Sequence, residues 1–477
     1  MAAASLLRIA IQICILPIIG RLLGPVAYGQ IALVTPFIFF AMLLAESGLG
    51  ACIVRADEVS SELQGSIFCF SAGFSLLIIA LFATIAYPVG RWINEPAFPA
   101  LLLGMSSILL LASLNIVPAS ILLRDKRYGW IALSDFASSI GGVGAVILGI
   151  TLGWGAWSLV AQQIMLWVCK IVVVTIGARW RPRLIFRWQV VKEHFAFGSN
   201  LTCGSIVQFV ARNIDNILIG AFMGTETLGY YALAWQINSL PGMILSGSVY
   251  YTVFSRTSEM HRSGTFSPEP FLRTLRTVLL ISAPAMVGLA VTASLSVPLI
   301  VGDKWLPVVP LIRYLATMGL CQTINAAISG LLIGRGLSAL SLRLGILTSI
   351  TTIAVILIGV AINSQTVAAG ISIAAVIGLY ATLRAVTKEC TIDGQALAKM
   401  FVPPLTTALL MGIVVYIFQQ TLLLTEPYTL RLLASILIGI GSYVVLMFTL
   451  FHNEIAADLE SLKMLLRPNS TSHQRSL

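Results

Sequence analysis

Residues 19–33, IGRLLGPVAYGQIAL, return two hundred positions later as residues 219–233, IGAFMGTETLGYYAL. Ile19, Gly20, Leu23, Gly24, Gly29, Ala32 and Leu33 align with Ile219, Gly220, Met223, Gly224, Gly229, Ala232 and Leu233, and both copies join two long apolar stretches through a short glycine-bearing loop. A second echo pairs Val89-Gly90-Arg91-Trp92 with Val301-Gly302-Asp303-Lys304-Trp305, each followed by an apolar span with an asparagine near its far end, Asn115 and Asn325. The chain reads as duplicated. Duplicated membrane halves are a common construction of alternating-access transporters, so the repeat points to transport rather than catalysis.

Composition identifies the solvent. At 58% hydrophobic and 10% charged residues, with mean hydropathy +0.94, the chain lies far from a soluble domain. Its apolar runs recur at lengths near those needed to cross about 30 Å of hydrocarbon. The expected fold class is an all-α polytopic membrane protein with roughly fourteen transmembrane helices. A β-barrel would show short alternating segments, and these runs are continuous. The expected spans are 2–20, 28–50, 64–88, 98–119, 129–152, 155–178, 199–222, 229–253, 275–301, 308–332, 342–362, 366–386, 402–423 and 430–451.

These spans divide into an N-lobe of six helices (1–178), a basic amphipathic linker (179–198), a C-lobe of six (199–386), a final pair (387–451) and a tail (452–477). The repeat predicts that the two lobes are related by an approximate two-fold axis along the membrane normal. With the N-terminus inside, about 21 Lys and Arg fall on inner loops and about five on the other side, which sets both termini in the cytoplasm. The linker carries Arg179, Arg181, Arg183, Arg187 and Lys192 among Trp180, Phe186, Trp188, Phe195 and Phe197, an interfacial composition.

Several function classes drop out. The formal charge of +10 is spread over short inner loops, with no basic domain for nucleic acid. Seven cysteines show no ligand spacing, so neither a metal nor a disulfide is expected. All four histidines fall in expected loops or the tail, and no GxxxxGK[ST] phosphate loop occurs, so ATP hydrolysis is not expected. Gly141, Gly142 and Gly144 read as close helix packing. Residues 1–20 lack the charged leader and cleavage site of a signal peptide and read as an anchor helix.

Charges inside spans are costly, at least about 2.5 kcal/mol each, so those present are expected to face protein or water. They are Arg8, Glu46, Asp135, Lys170, Arg212, Asp215 and Arg313. At the helical rise, Arg8, Asp135 and Lys170 form an inner layer, and Arg212, Asp215 and Arg313 an outer one. Gln208, Arg212, Asp215 and Asn216 share one helix face, with Arg212 and Asp215 close enough to pair, either as a structural ion pair or as the polar lining of a cavity. Asp135 is placed to neutralise Lys170, and Glu46 lies within reach of Arg55.

The phrases Arg21-Leu-Leu-Gly-Pro-Val-Ala-Tyr-Gly29, Ser47-Gly-Leu-Gly50, Arg179-Trp-Arg-Pro-Arg183, Arg212-Asn-Ile-Asp-Asn216 and Gly302-Asp-Lys-Trp-Leu-Pro307 resemble, in order, the polysaccharide transporter family of the multidrug/oligosaccharidyl-lipid/polysaccharide exporter superfamily, and within it the colanic-acid-type flippases. The chain departs from that pattern in starting almost at its first span and in carrying Glu46 where an aspartate is expected.

The resemblance implies two six-helix lobes in a V-shape that flip undecaprenyl-pyrophosphate-linked oligosaccharide across the bacterial inner membrane, with membrane lipids around them and a polysaccharide polymerase and chain-length regulator as candidate partners. Pyrophosphate would need cations, available as Arg8, Lys170, Arg212 and Arg313. Sugars would need amides, available as Gln208, Asn216, Asn238 and Gln163. No cofactor is expected, because membrane potential, or proton or sodium antiport through Asp135 or Asp215, can supply the drive. The alternative within the same fold is a multidrug/cation antiporter, whose cavity should be net acidic.

Overall fold

The computed structural model describes residues 2–46, 48–56, 59–390, 392–421 and 427–451. Among these, thirteen α-helices and one short 3-10 turn make up the ordered elements. They are α1 (Ala2–Glu46), α2 (Leu49–Arg55), α3 (Ser61–Ile93), α4 (Phe98–Arg124), α5 (Tyr128–Thr151), α6 (Trp157–Ala178), α7 (Trp188–Arg262), α8 (Glu269–Val301), α9 (Val308–Gly334), α10 (Ser338–Val360), α11 (Ser364–Glu389), α12 (Gly394–Thr421) and α13 (Tyr428–Leu450), with the turn at Asp303–Trp305. The tail 452–477 lies outside the described residues.

Twelve candidate membrane spans are present among the described residues, two fewer than the sequence count. The difference has a backbone cause. Expected spans 2–20 and 28–50 run together as α1, and 199–222 and 229–253 as α7, because each pair is joined through a single glycine rather than a loop. Gly24 has φ 77° and ψ 171°, and Gly224 φ 84° and ψ 167°. That region of backbone space is essentially closed to residues with a Cβ. The two corresponding glycines of the repeat therefore make the same sharp break in two helices.

By compactness the chain forms two units, which differ from the lobes expected at 1–178 and 199–386. The first comprises Met1–Ala232 with Ile300–Trp305, and the second Leu233–Leu299 with Leu306–Leu477. In the first unit α4 is the central helix, burying Leu101, Leu102, Met105, Ile108 and Leu109. Helices α5 and α6 pack closely through small residues: Gly141 lies against Cys169, and a Cβ on Gly142 would meet Gln162 at 3.5 Å. Of the glycine run read as helix packing, Gly141 and Gly142 are so used, whereas Gly144 faces open space. In the second unit α9 is central, and Leu275, Leu279, Ile324, Ile328, Leu331, Val386 and Leu397 form one core linking α8, α9, α11 and α12. Apolar burial of this kind contributes about 25 cal/mol per Å² in water; within lipid, close packing carries more of the load.

Candidate functional site

The two copies of the repeat, up to Ala232, fold within the first unit. Past the breaks at Gly24 and Gly224, the two helical segments cross at Gly29 and Gly229. A Cβ on Gly29 would be driven into the carbonyl of Thr225, and one on Gly229 into the carbonyl of Pro25. Thr225 occupies in the second copy the place of Pro25 in the first. The contact is thus reciprocal, as at an interface with a two-fold axis.

Glu95, in the turn between α3 and α4, clamps this crossing. Its Oε1 accepts from Gln30 Nε2 at 3.1 Å and from the Ala97 amide at 3.3 Å, and its Oε2 accepts from Thr225 Oγ1 at 2.9 Å. One carboxylate so bridges the first copy to the second. Beside it, fully buried Trp305 donates Nε1–H to the Gly20 carbonyl at 2.7 Å and meets Tyr28 and Tyr230 edge-on at 5.8 and 6.0 Å. Sequence reasoning did not pick out Glu95. Its signal was position alone: an acid in the short turn after the Val89–Trp92 echo.

Of the expected charged residues, Asp135 and Lys170 meet, with Nζ 3.1 Å from Oδ1 and both side chains about a quarter exposed. Lys170 also stands over the Trp167 ring at 5.8 Å, and it is the cation bearing on the Glu46 carboxylate at the end of α1. The hydroxyls of Ser138 and Ser139 donate to the Asp135 carbonyl, so they are spent on their own helix.

Asp215 is buried at 5% exposure. Its Oδ2 accepts from the Tyr231 hydroxyl at 2.6 Å and its Oδ1 from the Asn216 amide at 2.9 Å. Tyr231 itself is fully buried. The break at Gly224 turns α7 back on itself, which brings residue 231 opposite residue 215. The side chains of Arg8, Gln208 and Arg212 lie outside the described residues.

Two further expected ligands belong to the second unit. Asn238 is fully buried and its Nδ2 donates to the carbonyls of Ala234 at 2.9 Å and Ile312 at 3.4 Å, joining α7 to α9. Arg313 is exposed, with Nε donating to the Ala290 carbonyl at 3.4 Å. Among the described residues no group of His, Cys, Asp and Glu side chains is arranged to hold a metal ion.

Comparison with known proteins matches this architecture. The chain is 22% identical over 62% of its length to the teichuronic acid biosynthesis protein TuaB of Bacillus subtilis, covering 62% of that protein. It is 24% identical over 63% of its length to the succinoglycan biosynthesis transport protein ExoT of Rhizobium meliloti, covering 61% of that protein. The matches span about three fifths of these relatives. In fold it is similar to the lipid II flippase MurJ in an inward closed conformation, with TM-score 0.76, 17% identity and coverage of 95% of this chain and 99% of that one. It is also similar to an inward-facing multidrug resistance MATE transporter of the MOP superfamily, with TM-score 0.62, 15% identity and coverage of 83% and 96%. The polysaccharide biosynthesis protein family matches residues 18–310, more than half of the sequence, and the chain belongs to that family.

Proposed function

We propose that this protein is a flippase that carries undecaprenyl-pyrophosphate-linked oligosaccharide repeat units across the bacterial inner membrane for surface or exopolysaccharide synthesis, by alternating access and without ATP hydrolysis. The observation that carries this reading is the duplicated hairpin sealed at Gly29 and Gly229, in a chain of the polysaccharide biosynthesis family. A seal clamped by one carboxylate and a few hydrogen bonds can part in a transport cycle, since each such bond contributes only about 0.5–1.5 kcal/mol net. Both termini are cytoplasmic on this reading, from the distribution of Lys and Arg. A polysaccharide polymerase and a chain-length regulator are the partners that would receive the flipped unit.

Lys170 and Arg313, with Arg8 and Arg212, are the proposed pyrophosphate ligands, and Gln208, Asn216 and Asn238 the proposed sugar contacts. The Asp135–Lys170 pair supports a coupling rule: protonation of Asp135 frees Lys170 for the pyrophosphate, and reloading of the pair expels it. Asp135, about a quarter exposed, suits an ion carrier better than Asp215, whose carboxylate is enclosed with Tyr231. With the interior negative, moving about two negative charges outward gains on the order of 4–5 kcal/mol per 100 mV. Deleting the gene tests the reading. The expected strain makes lipid-linked repeat units that stay inward-facing and loses its surface polysaccharide. A strain that keeps its polysaccharide and becomes drug-sensitive is that of an antiporter.

A further inference from the structure

Between α6 and α7 the chain leaves the helical pattern. Arg179 ends α6 in a left-handed conformation, φ 52°, and residues 180–187 run without helix along the start of α3. The underside of this strap is fixed. Trp180 is buried and meets Phe68 edge-on at 5.7 Å, within a core that includes Leu63, Ile67 and Ile116. The carbonyls of Arg183 and Ile185 approach Gly65 so closely that a Cβ there would lie 3.0 and 2.9 Å from them. The Arg187 amide donates to Ser66 Oγ at 3.0 Å, and its guanidinium pairs with Glu62 at 2.9 Å.

The outer side is a different surface. Leu184 is 86% exposed, with Phe186 and Trp188 more than half exposed, and Arg179, Arg181 and Arg183 stand exposed beside them. No ion pair among the described residues engages these three arginines, and residues 179–188 contain no acid. The level of the strap follows from α3. Its 33 residues span about 50 Å, well beyond the about 30 Å of hydrocarbon, so one end must stand in the headgroup region. With α6 ending just before the strap, the end of α3 under the strap is the one that does so.

We propose that this strap is a preformed docking surface for anionic phospholipid headgroups. Only a bilayer boundary offers a plane of phosphates for Arg179, Arg181 and Arg183 and acyl carbon for Leu184 and Phe186 at one level. A soluble acidic partner would leave the apolar side chains without a place to go.

The test uses the full chain, purified in neutral detergent, with its unfolding midpoint followed as phosphatidylglycerol or phosphatidylcholine is added at equal mole fraction. The expected result is a larger upward shift with phosphatidylglycerol, cut by raising salt to about 0.5 M. Arg181→Gln with Arg183→Gln should lose more than half of that difference. Arg384→Gln with Lys388→Gln, an equal loss of charge on α11, should keep it. The proposal is overturned if the strap variant keeps the full difference, if the α11 variant loses as much, or if wild type shows no preference or no salt dependence. It is also overturned if inorganic phosphate alone shifts wild type as phosphatidylglycerol does and the Arg181→Gln, Arg183→Gln variant loses that shift, since the strap would then be a soluble phosphate site.

Discussion

Gly24 and Gly224 break their helices at nearly the same angles, yet the residues at matching offsets around them carry opposite chemistry. Around Gly24 they are Ile15 and Ile31, both buried; around Gly224 they are Asp215 and Tyr231, buried and joined at 2.6 Å. The tryptophans of the second echo diverge too. Trp305 is enclosed against Gly20, Tyr28 and Tyr230, whereas Trp92 is 65% exposed and meets the Phe222 ring edge-on at 6.2 Å. Backbone is shared where sterics allow only one solution, and side chains have specialised where they do not. At this pair of positions the second copy is the polar one.

The largest effects should come from the shared part. Gly29→Val and Gly229→Val each force a side chain into a carbonyl of the other copy, so each should cost more than about 4 kcal/mol and remove most folded protein from the membrane. Membrane abundance and the size-exclusion profile measure this. Tolerance of one change but not the other would break the reciprocity on which the comparison rests.

An intermediate effect belongs to the part that differs. Asp215→Ala removes the 2.6 Å hydrogen bond from the buried Tyr231 hydroxyl, a loss of about 1–3 kcal/mol. Asp215→Ile with Tyr231→Ile installs the first copy's pair and should recover most of the unfolding midpoint of the purified protein, with transport retained if coupling runs through Asp135. A double variant as unstable as the single one would show that the two side chains are not a closed pair.

Thr225→Val is the smallest test. It removes one bond to Glu95 at the place where the first copy already has Pro25, and should lower the midpoint by about 0.5–1.5 kcal/mol. An unchanged midpoint would mean that the Glu95 clamp rests on Gln30 and the Ala97 amide.

How much of this was legible depends on what each feature needs. Apolar runs and a repeat register are one-dimensional, so the all-α membrane fold and the equivalence of Gly24 with Gly224 could be read directly. The Asp135–Lys170 pair was legible from depth along two helices. The partner of Asp215 was not, because a search for pairs three or four residues apart on one helix looks toward Arg212, while the fold-back at Gly224 supplies Tyr231. Counting residues outward from Gly224 would have found it. The Glu95 clamp was hidden for another reason: Gln30 and Thr225 come from two distant segments, and only the glycine crossing brings them together at Glu95.

The central claim is transport of a pyrophosphate-linked sugar lipid through a duplicated, hinged frame. Its most direct test is full-length protein in proteoliposomes loaded on one leaflet with a labelled undecaprenyl-pyrophosphate oligosaccharide, with translocation followed without ATP for wild type and Lys170→Gln. The account predicts movement by wild type, faster when the receiving side is positive, and about tenfold or more slower in the variant, the value of one charge-assisted contact. Wild-type protein that leaves the sugar lipid in place and instead moves a lipophilic cation would contradict it.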